Sequence, residues 1–317
     1  MAIALSDGQA RFLRLRAQRL APPQPGDSIG GVAGVVQALC GLQAQDALAA
    51  ALGARVRSAG LVAADVERAR VEERSVIRTW GPRGTLHLLA TADLGWLLSL
   101  FGPLFIKANR RRYAQLGLDE ETLARGVHII RETLASQGPL TRDELAGHLA
   151  GQGIPTAGQA KAYLMFHAAL LGVICLGPDR GSKPTYALLS DWAEIGQALP
   201  QAVAEAELAR RYLQAYGPAT PADLAAWSGL PMNQLRPAWQ RIADQLIEVQ
   251  VAGAPAWMLK TQAEWLDEAP AYAPLVHLLP AFDTYLLGYQ QRDLAVAPQY
   301  AKRINAGGGI VHPALLV

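Results

Sequence analysis

Residues 138–146 read GPLTRDELA, and residues 217–225 read GPATPADLA. Each copy follows a segment in which apolar residues recur every three or four positions, the pattern of an amphipathic helix. These apolar residues are Leu123, Val127, Ile130 and Leu134 before the first copy, and Leu208, Tyr212 and Tyr216 before the second. Within the copies, Thr141 and Thr220 can each cap a short helix, and Glu144 has the capping-box spacing from Thr141. The two copies therefore indicate a structural repeat.

The same succession of elements continues after each copy. A second helix is predicted at 160–171 in the first copy and at 232–245 in the second. Two β segments follow, at 173–176 and 186–189 in the first copy and at 247–251 and 256–259 in the second. This order is typical of a winged helix, whose third helix is shaped for the DNA major groove. Winged helices also dock proteins, so the order predicts the fold more strongly than it predicts DNA binding.

The N-terminal region is less regular but ends in a similar way. Helices are predicted at 9–20, 32–40, 47–58 and 65–70, then strands at 76–80 and 85–89, and then a linking helix at 101–113. We interpret this region as a third, diverged winged helix. Near the C-terminus, 276–280 and 310–317 are predicted to be strands.

The sequence therefore predicts a mainly α protein with small β-hairpins, an α+β fold built from tandem winged-helix units. We place these units at 1–118, 119–198 and 199–268, followed by a β-rich segment at 269–317. Because the chain stops inside an apolar strand, we expect this last segment to be truncated.

Composition excludes several classes of protein. Of the 317 residues, 51% are apolar and 18% are charged, which suits a folded core, and no apolar run is long enough to span a bilayer. Cys40 and Cys175 are too few for a disulfide framework, and the six histidines contain no His-x-x-x-His pair. We expect a soluble, cytoplasmic monomer without metal or cofactor.

Basic residues are mostly arginine. The net charge is only +2, but 24 of the 29 basic residues are Arg. The guanidinium group suits phosphate because it forms paired hydrogen bonds. Genomic G+C bias explains the same excess equally well, so this feature alone does not identify a nucleic-acid partner.

Three stretches together resemble a known family. They are 41–46 (GLQAQD), 79–87 (TWGPRGTLH) and 278–289 (LLPAFDTYLLGY). Their order and spacing resemble the winged-helix DNA glycosylases of the AlkZ type, whose founding member confers resistance to the crosslinking natural product azinomycin. The resemblance covers nearly the whole chain.

The resemblance implies a fold and an activity. Family members have tandem winged helices in a C-shaped scaffold with a C-terminal β region. They cleave the N-glycosidic bond of N-alkylated purines, and some unhook interstrand crosslinks. Their catalytic signature, Gln-x-Gln, implies that Gln43 and Gln45 are the catalytic residues here. Family chains also continue past the equivalent of Val317 through another hairpin.

Two glutamines fit one kind of glycosidic cleavage. Neither can ionise, whereas glycoside hydrolysis commonly uses a pair of carboxylates. A purine alkylated at N7 or N3 is already cationic and leaves without an acid. Amide oxygens can then accept hydrogen bonds from the attacking water and face the sugar cation.

Local geometry favours the same interpretation. Positions i and i+2 share a face in extended chain but not in a helix. Gly41 can interrupt the preceding helix and Asp46 can cap the next, so Gln43 and Gln45 are predicted in a short extended link that points both side chains the same way. The alternative is a polar connector whose amides only cap helix ends.

Other residues are candidates for contact with DNA or substrate. Arg78, Arg83 and His87 lie on or beside the predicted hairpin, although a structural role for His87 is an equal alternative. The remaining candidates are Arg110, Arg111, Arg112, Asp283 and Tyr285. Asp283 and Tyr285 could instead form a buried pair that holds the C-terminal segment, and Trp80 is assigned to the core.

The leading hypothesis is a monofunctional glycosylase that releases cationic N7-alkylguanine or N3-alkyladenine from damaged double-stranded DNA. The sequence leaves crosslink unhooking open. The alternative is a non-catalytic winged-helix regulator that binds DNA, in which the Gln motif is structural.

Overall fold

The computed structural model describes residues 3–21, 30–268, 276–307 and 309–317. The chain forms two compact units. The split unit combines Met1–Val66 with Pro200–Val317, and the inserted unit is Glu67–Leu199. The predicted boundary at 198 lies beside a unit boundary, whereas the predicted start of the last segment, residue 269, lies outside the described residues. The three winged-helix units stay a prediction.

The first part of the split unit is mainly helical. Its elements are β1 (Ile3–Leu5), α1 (Asp7–Ala17), α2 (Gly31–Ala38), β2 (Leu42–Gln43) and α3 (Ala47–Arg55). Helix α4 (Ala63–Val71) contains the boundary between the units. The helices predicted at 9–20, 32–40, 47–58 and 65–70 are all present, with ends shifted by a few residues.

The inserted unit begins with a hairpin and continues through long helices. Its elements are β3 (Val76–Trp80), β4 (Leu86–Ala90), α5 (Thr91–Ala108), α6 (Arg110–Gln115), α7 (Glu120–Gln137), β5 (Leu140–Thr141), α8 (Arg142–Gly151), α9 (Ala160–Leu170), β6 (Ile174–Leu176), β7 (Thr185–Leu188) and α10 (Leu189–Trp192).

The second part of the split unit repeats the helix–helix–helix–hairpin order. Its elements are α11 (Gln201–Tyr216), α12 (Pro221–Ser228), α13 (Met232–Arg241), β8 (Leu246–Val251), β9 (Ala254–Leu259), α14 (Trp265–Glu268), β10 (His277–Leu279), α15 (Thr284–Leu287), α16 (Ala301–Ile304), β11 (Asn305–Gly307), β12 (Ile310–Val311) and β13 (Ala314–Leu316). The fold is therefore α+β with small sheets, as predicted.

Capping explains why the repeated motif starts a helix in both places. The Thr141 hydroxyl accepts a hydrogen bond from the Glu144 backbone N–H, and the Glu144 carboxylate accepts one from the Thr141 N–H. Thr220 and Asp223 form the same reciprocal pair at the start of α12. Each box satisfies two backbone N–H groups that a helix end leaves without partners. The predicted caps are confirmed.

The apolar faces predicted for the two long helices are also confirmed. In α7 the buried side chains include Leu123, Val127, Ile130 and Leu134, and in α11 they include Leu208, Tyr212 and Tyr216. The α7 residues belong to the core of the inserted unit. Burial of these faces removes apolar surface from water, which stabilises the packing of each helix within its own unit.

Small, mostly antiparallel sheets complete each unit. In the inserted unit the strand order is β4–β3–β6–β7–β5, and β3 meets β6 at Arg78 opposite Leu176. In the split unit β1 runs parallel to β8, with Ile3 opposite Val249, and β8 pairs with β9. Two further pairs, β10 with β13 and β11 with β12, lie near the C-terminus.

The prediction of a linking helix at 101–113 is wrong in its bounds. Helix α5 begins at Thr91, ten residues earlier, because Leu94, Leu97 and Phe101 give that segment a buried apolar face. It ends at Asn109, whose side-chain amide donates to the Phe105 carbonyl at 2.8 Å. The short helix α6 then follows.

Two absences concern only the described parts of the chain. No helix there combines the length and apolar character needed to cross a membrane. Cys40 and Cys175 are both buried and not joined in a disulfide, and burial raises the pKa of the Cys175 thiol to about 12.

Close backbone packing in the inserted unit generates a stability prediction. A Cβ added at Gly95 would lie 1.8 Å from the Gly196 carbonyl oxygen, whereas one added at exposed Gly147 would meet nothing within 4 Å. We expect Gly95→Ala to destabilise the protein by roughly 1–3 kcal/mol through overpacking. Gly147→Ala should be neutral or stabilising by up to about 1 kcal/mol, since alanine is the better helix former. Urea unfolding of both variants tests this, and equal stabilities would contradict it.

Candidate active site

The Gln43-Ala44-Gln45 motif lies in the predicted extended link between two helices. Helix α2 ends before Gly41, whose φ of 114° is accessible to glycine, and Leu42 and Gln43 form strand β2. The Asp46 carboxylate accepts a hydrogen bond from the Ala49 N–H at 3.0 Å and so caps α3. Gln43 is buried, whereas Gln45 is exposed. Only Leu42 and Gln43 are in a strand, and the chain bends at Gln45. The two glutamines therefore do not share one environment, which counts against the expectation that their side chains point the same way.

Gln43 lines a small pocket within the split unit. Ala49, Ala50 and Gly53 of α3 form one wall, and residues 280–284 form another. The pocket has a volume of about 10 Å³, which is close to the space that one water molecule needs. Two of the stretches that carry the family resemblance, 41–46 and 278–289, thus meet at one site despite lying far apart in the sequence.

A buried ion pair fixes the second wall of this pocket. The Arg57 guanidinium donates to both carboxylate oxygens of Asp283, at 2.7 and 2.8 Å, and both side chains have 0% exposure. Arg57 also donates to the carbonyl oxygens of Gly53 and Gln18, each at 3.0 Å. Asp283 accepts a further hydrogen bond from the Tyr285 N–H at 2.9 Å. This network connects residues 283–285 to α1 and α3.

Two more sets of contacts hold the same segment. The Gln18 amide oxygen accepts from the Thr284 hydroxyl at 2.9 Å, while its N–H donates to the Ala215 carbonyl at 3.0 Å. Further along, the Tyr212 hydroxyl donates to the Gly288 carbonyl at 2.7 Å, and the Tyr289 hydroxyl donates to the Tyr216 carbonyl at 3.0 Å. Residues 283–289 are therefore anchored at both ends.

The predicted roles of Asp283 and Tyr285 need revision in the light of this arrangement. Both are buried, so a contact with DNA would require the segment to open. The predicted buried pair between them exists, but it is a backbone-to-carboxylate hydrogen bond, and the main partner of Asp283 is Arg57. That partner, 226 residues away along the chain, had no signal in the sequence.

Residues 79–87, the second of the three stretches that carry the family resemblance, belong to the predicted hairpin, which lies in the inserted unit. Strands β3 and β4 pair from Val76 opposite Ala90 to Trp80 opposite Leu86. At the turn, Arg83 has a φ of 57° and is half-buried. Trp80 packs edge-on against Phe166, with ring centroids 5.6 Å apart, at the core position predicted for it.

His87 and Arg78 are both buried on this hairpin. Burial, with the nearby Arg83 charge as the second cause, lowers the pKa of His87 to about 3. The ring Nδ1 lies 3.0 Å from the Thr85 carbonyl oxygen, so Nδ1 carries the hydrogen of the neutral ring. A neutral, buried imidazole favours the structural alternative for His87 over phosphate binding.

The three consecutive arginines differ in their contacts. Arg110 and Arg111 are exposed, and Arg110 lies 3.8 Å from the Glu120 carboxylate. Arg112 is half-buried and donates to the side-chain oxygens of Gln115 and Gln159. Of the predicted DNA contacts in the inserted unit, Arg110 and Arg111 are the exposed ones.

The described residues contain no cluster of three or more His, Cys, Asp or Glu side chains that could hold a metal ion.

Comparisons with known proteins place the chain in a class. The family model for AlkZ-like DNA glycosylases matches residues 36–317. The match includes the Gln43-Ala44-Gln45 link and residues 278–289, and it defines the protein as a DNA glycosylase. The chain belongs to the AlkZ-like DNA glycosylase family.

Relatives from Streptomyces sahachiroi agree with this assignment. The chain is 32% identical to an interstrand DNA cross-link repair glycosylase of that organism, over 97% of this chain and 82% of the relative. The solved structure of the Streptomyces sahachiroi DNA glycosylase AlkZ is also similar, with a TM-score of 0.82 and 28% identity, over 99% of this chain and 86% of that one.

The buried His87 generates a pH prediction. Its folded pKa lies below the unfolded value near 6.5, so the stability that depends on its neutral form is present above pH 6.5 and is lost as pH falls towards 3. Between pH 7 and pH 5 the wild type should lose roughly 2 kcal/mol more free energy of unfolding than His87→Asn, which keeps a donor for Thr85 but does not titrate. Urea unfolding at both pH values measures this. Parallel losses in the two proteins would show that His87 can take up a proton in the folded state.

Proposed function

We propose that the enzyme hydrolyses the N-glycosidic bond of cationic N7-alkylguanine and N3-alkyladenine in double-stranded DNA. The observation that carries this proposal is Gln43, which is buried beside a pocket the size of one water molecule. Its amide oxygen can accept a hydrogen bond from that water and hold it for attack on the sugar.

The reaction balances without an enzymatic acid. The water oxygen bonds to C1′ of the deoxyribose as the bond from C1′ to the purine nitrogen breaks, and the bonding electrons neutralise the purine. The water proton passes to solvent, leaving the free base and an abasic site. The transition state is a sugar cation, which the negative end of an amide dipole stabilises.

The residues that line the pocket support this assignment. Asp283 is the single carboxylate among the described lining residues, and both of its oxygens accept hydrogen bonds from Arg57, so it is already engaged in holding the wall. Asp46 is used as the cap of α3. The same lining contains no lysine, which favours a monofunctional enzyme over one that nicks DNA through a Schiff base.

Gln45 has a different role in this proposal. It is exposed, two residues from Gln43, so DNA bound over the link can reach it while Gln43 holds the water beneath. The exposed position also leaves room for large alkyl groups, because the lesion need not enter a closed cavity. Since a relative is an interstrand cross-link repair glycosylase, we include unhooking of N7-linked crosslinks in the proposal.

Duplex binding in this proposal comes from tandem winged helices in a C-shaped scaffold. The repeated order of three helices and a hairpin, α7–α8–α9 with β6–β7 and α11–α12–α13 with β8–β9, supports this. Membership of a glycosylase family favours DNA over a protein as the docked partner. Because the substrate is genomic DNA, we keep a cytoplasmic location as part of the proposal.

The choice of lesion tests the proposed mechanism. In matched duplexes, we expect release of N7-methylguanine and N3-methyladenine, tolerance of bulkier N7 adducts, and no release of uracil or 8-oxoguanine. The reason is that neutral bases leave poorly without protonation. Free base is measured by chromatography under single-turnover conditions. Efficient uracil release would reveal an acid, with Asp46 and Asp283 the first to be examined.

Substitution of the motif tests the residues. Gln43→Ala and Gln45→Ala should each slow release of N7-methylguanine by roughly 10²-fold or more, the effect of removing a positioned polar group from a transition state. Affinity for the duplex should change little. Gln152→Ala removes an exposed glutamine of the inserted unit and serves as the matched control. Full activity of both motif variants would exclude the motif from catalysis. The motif would then be structural, as in the alternative of a non-catalytic winged-helix regulator.

A further inference from the structure

Helix α13 has two distinct faces. Leu235, Ala238 and Trp239 are buried, and the helix packs on α11 and α12. The exposed residues of the helix are Asn233, Arg236, Pro237, Gln240 and Arg241. Their spacing of three and four residues places them in one stripe along the helix. We call this stripe the α13 face.

The charge of the α13 face is unbalanced. The helix contains two arginines and no acidic residue. Within the described part of the chain, neither Arg236 nor Arg241 forms an ion pair or hydrogen bond, although Asp244 lies just after the helix and Glu248 lies on β8. A cationic stripe without partners favours a polyanionic ligand.

The first copy of the repeat lacks such a face. In α9 every residue from Ala160 to Leu170 is buried or half-buried, and α5 packs against it. A Cβ added at Gly102 of α5 would lie 2.4 Å from the Leu170 carbonyl oxygen, which shows how closely the two helices approach. Of these two corresponding helices, α13 alone is open to solvent.

The α13 face is also held in a defined position. Trp239 packs edge-on against Trp257 of the β8–β9 hairpin, with ring centroids 6.1 Å apart. Strand β1 pairs along β8, so the hairpin is supported on its outer edge. A fixed helix favours groove binding, because its backbone does not have to become ordered when it meets DNA.

We propose that the α13 face lies in the major groove of duplex DNA. Arg236 and Arg241 bind backbone phosphates, while Asn233 and Gln240 contact base edges, since their amides match donors and acceptors there. This contact holds the duplex at a place other than the Gln43 pocket. It rests on the proposed function only in taking double-stranded DNA as the ligand, and it does not depend on the lesion.

The double variant Arg236→Ala/Arg241→Ala tests the phosphate contacts. Affinity for an undamaged duplex is measured by fluorescence anisotropy between 50 and 200 mM salt, which are ordinary conditions for such titrations. We expect weaker binding than wild type and a log–log salt slope shallower by about 1.8, because each lost phosphate contact removes about 0.9. The matched control, Arg131→Ala/Lys302→Ala, removes two exposed cations elsewhere. If both double variants bind with the same affinity and slope, the proposal fails.

The groove is tested with a duplex whose cytosines carry glucosyl groups, which fill the major groove. Glucosylation should weaken binding of the wild type more than that of the α13 variant, and an equal effect on both would exclude α13 from the groove. Release of N7-methylguanine at saturating enzyme separates this inference from the proposed function. If the α13 variant binds the duplex as tightly as the wild type and releases N7-methylguanine normally, the α13 inference fails and the proposed function stands. If the α13 variant binds more weakly but the wild type releases no N7-methylguanine, the lesion assignment fails and the α13 inference stands.

Discussion

The geometry of the candidate site depends on the ion pair between Arg57 and Asp283. Both groups are fully buried, and removal of one partner from such a pair leaves an uncompensated charge that costs about 3–5 kcal/mol. The ion pair contributes to the site by fixing the positions of the segments around the pocket. The same guanidinium contacts the backbone of α1 and α3, so it sets the distance between the Gln43 link and residues 280–284. It acts together with the hydrogen bonds from Thr284 to Gln18 and from Tyr212 to Gly288, which hold the same segment.

Glycoside hydrolases commonly use a pair of carboxylic acids, whereas the mechanism proposed here uses the neutral amide of Gln43 beside this ion pair. The single described carboxylate of the pocket lining accepts hydrogen bonds from Arg57, and in the proposed mechanism the group that holds the attacking water is the Gln43 amide. Selectivity can then come from the substrate: a base that already carries positive charge departs, and a neutral base does not. In the proposed mechanism, bulk on the alkyl group is compatible with the site because recognition does not require the base to be enclosed.

The local features of the fold were predictable because they depend on nearby residues. The capping boxes at Thr141 and Thr220, the apolar faces of α7 and α11, the hairpin strands and the extended Gln43 link all follow from patterns within a few positions. Contacts between residues that are far apart in the sequence could not be predicted from such patterns. The partner of Asp283 lies 226 residues away, the burial of His87 depends on packing that no local pattern reports, and the contrast between open α13 and covered α9 depends on α5. Likewise, α5 starts ten residues before the predicted linking helix because residues such as Leu94 and Leu97 are buried.

The division of the chain has a consequence for how the enzyme is made. The inserted unit is one continuous segment, so all of its contacts can form as soon as it leaves the ribosome. The pocket cannot, because Gln43 and Asp283 are separated by most of the polypeptide. At elongation rates of about 5–20 residues per second, the N-terminal helices wait on the order of 10–50 s for the residues that complete their site. During that interval Arg57 has no Asp283 carboxylate to pair with.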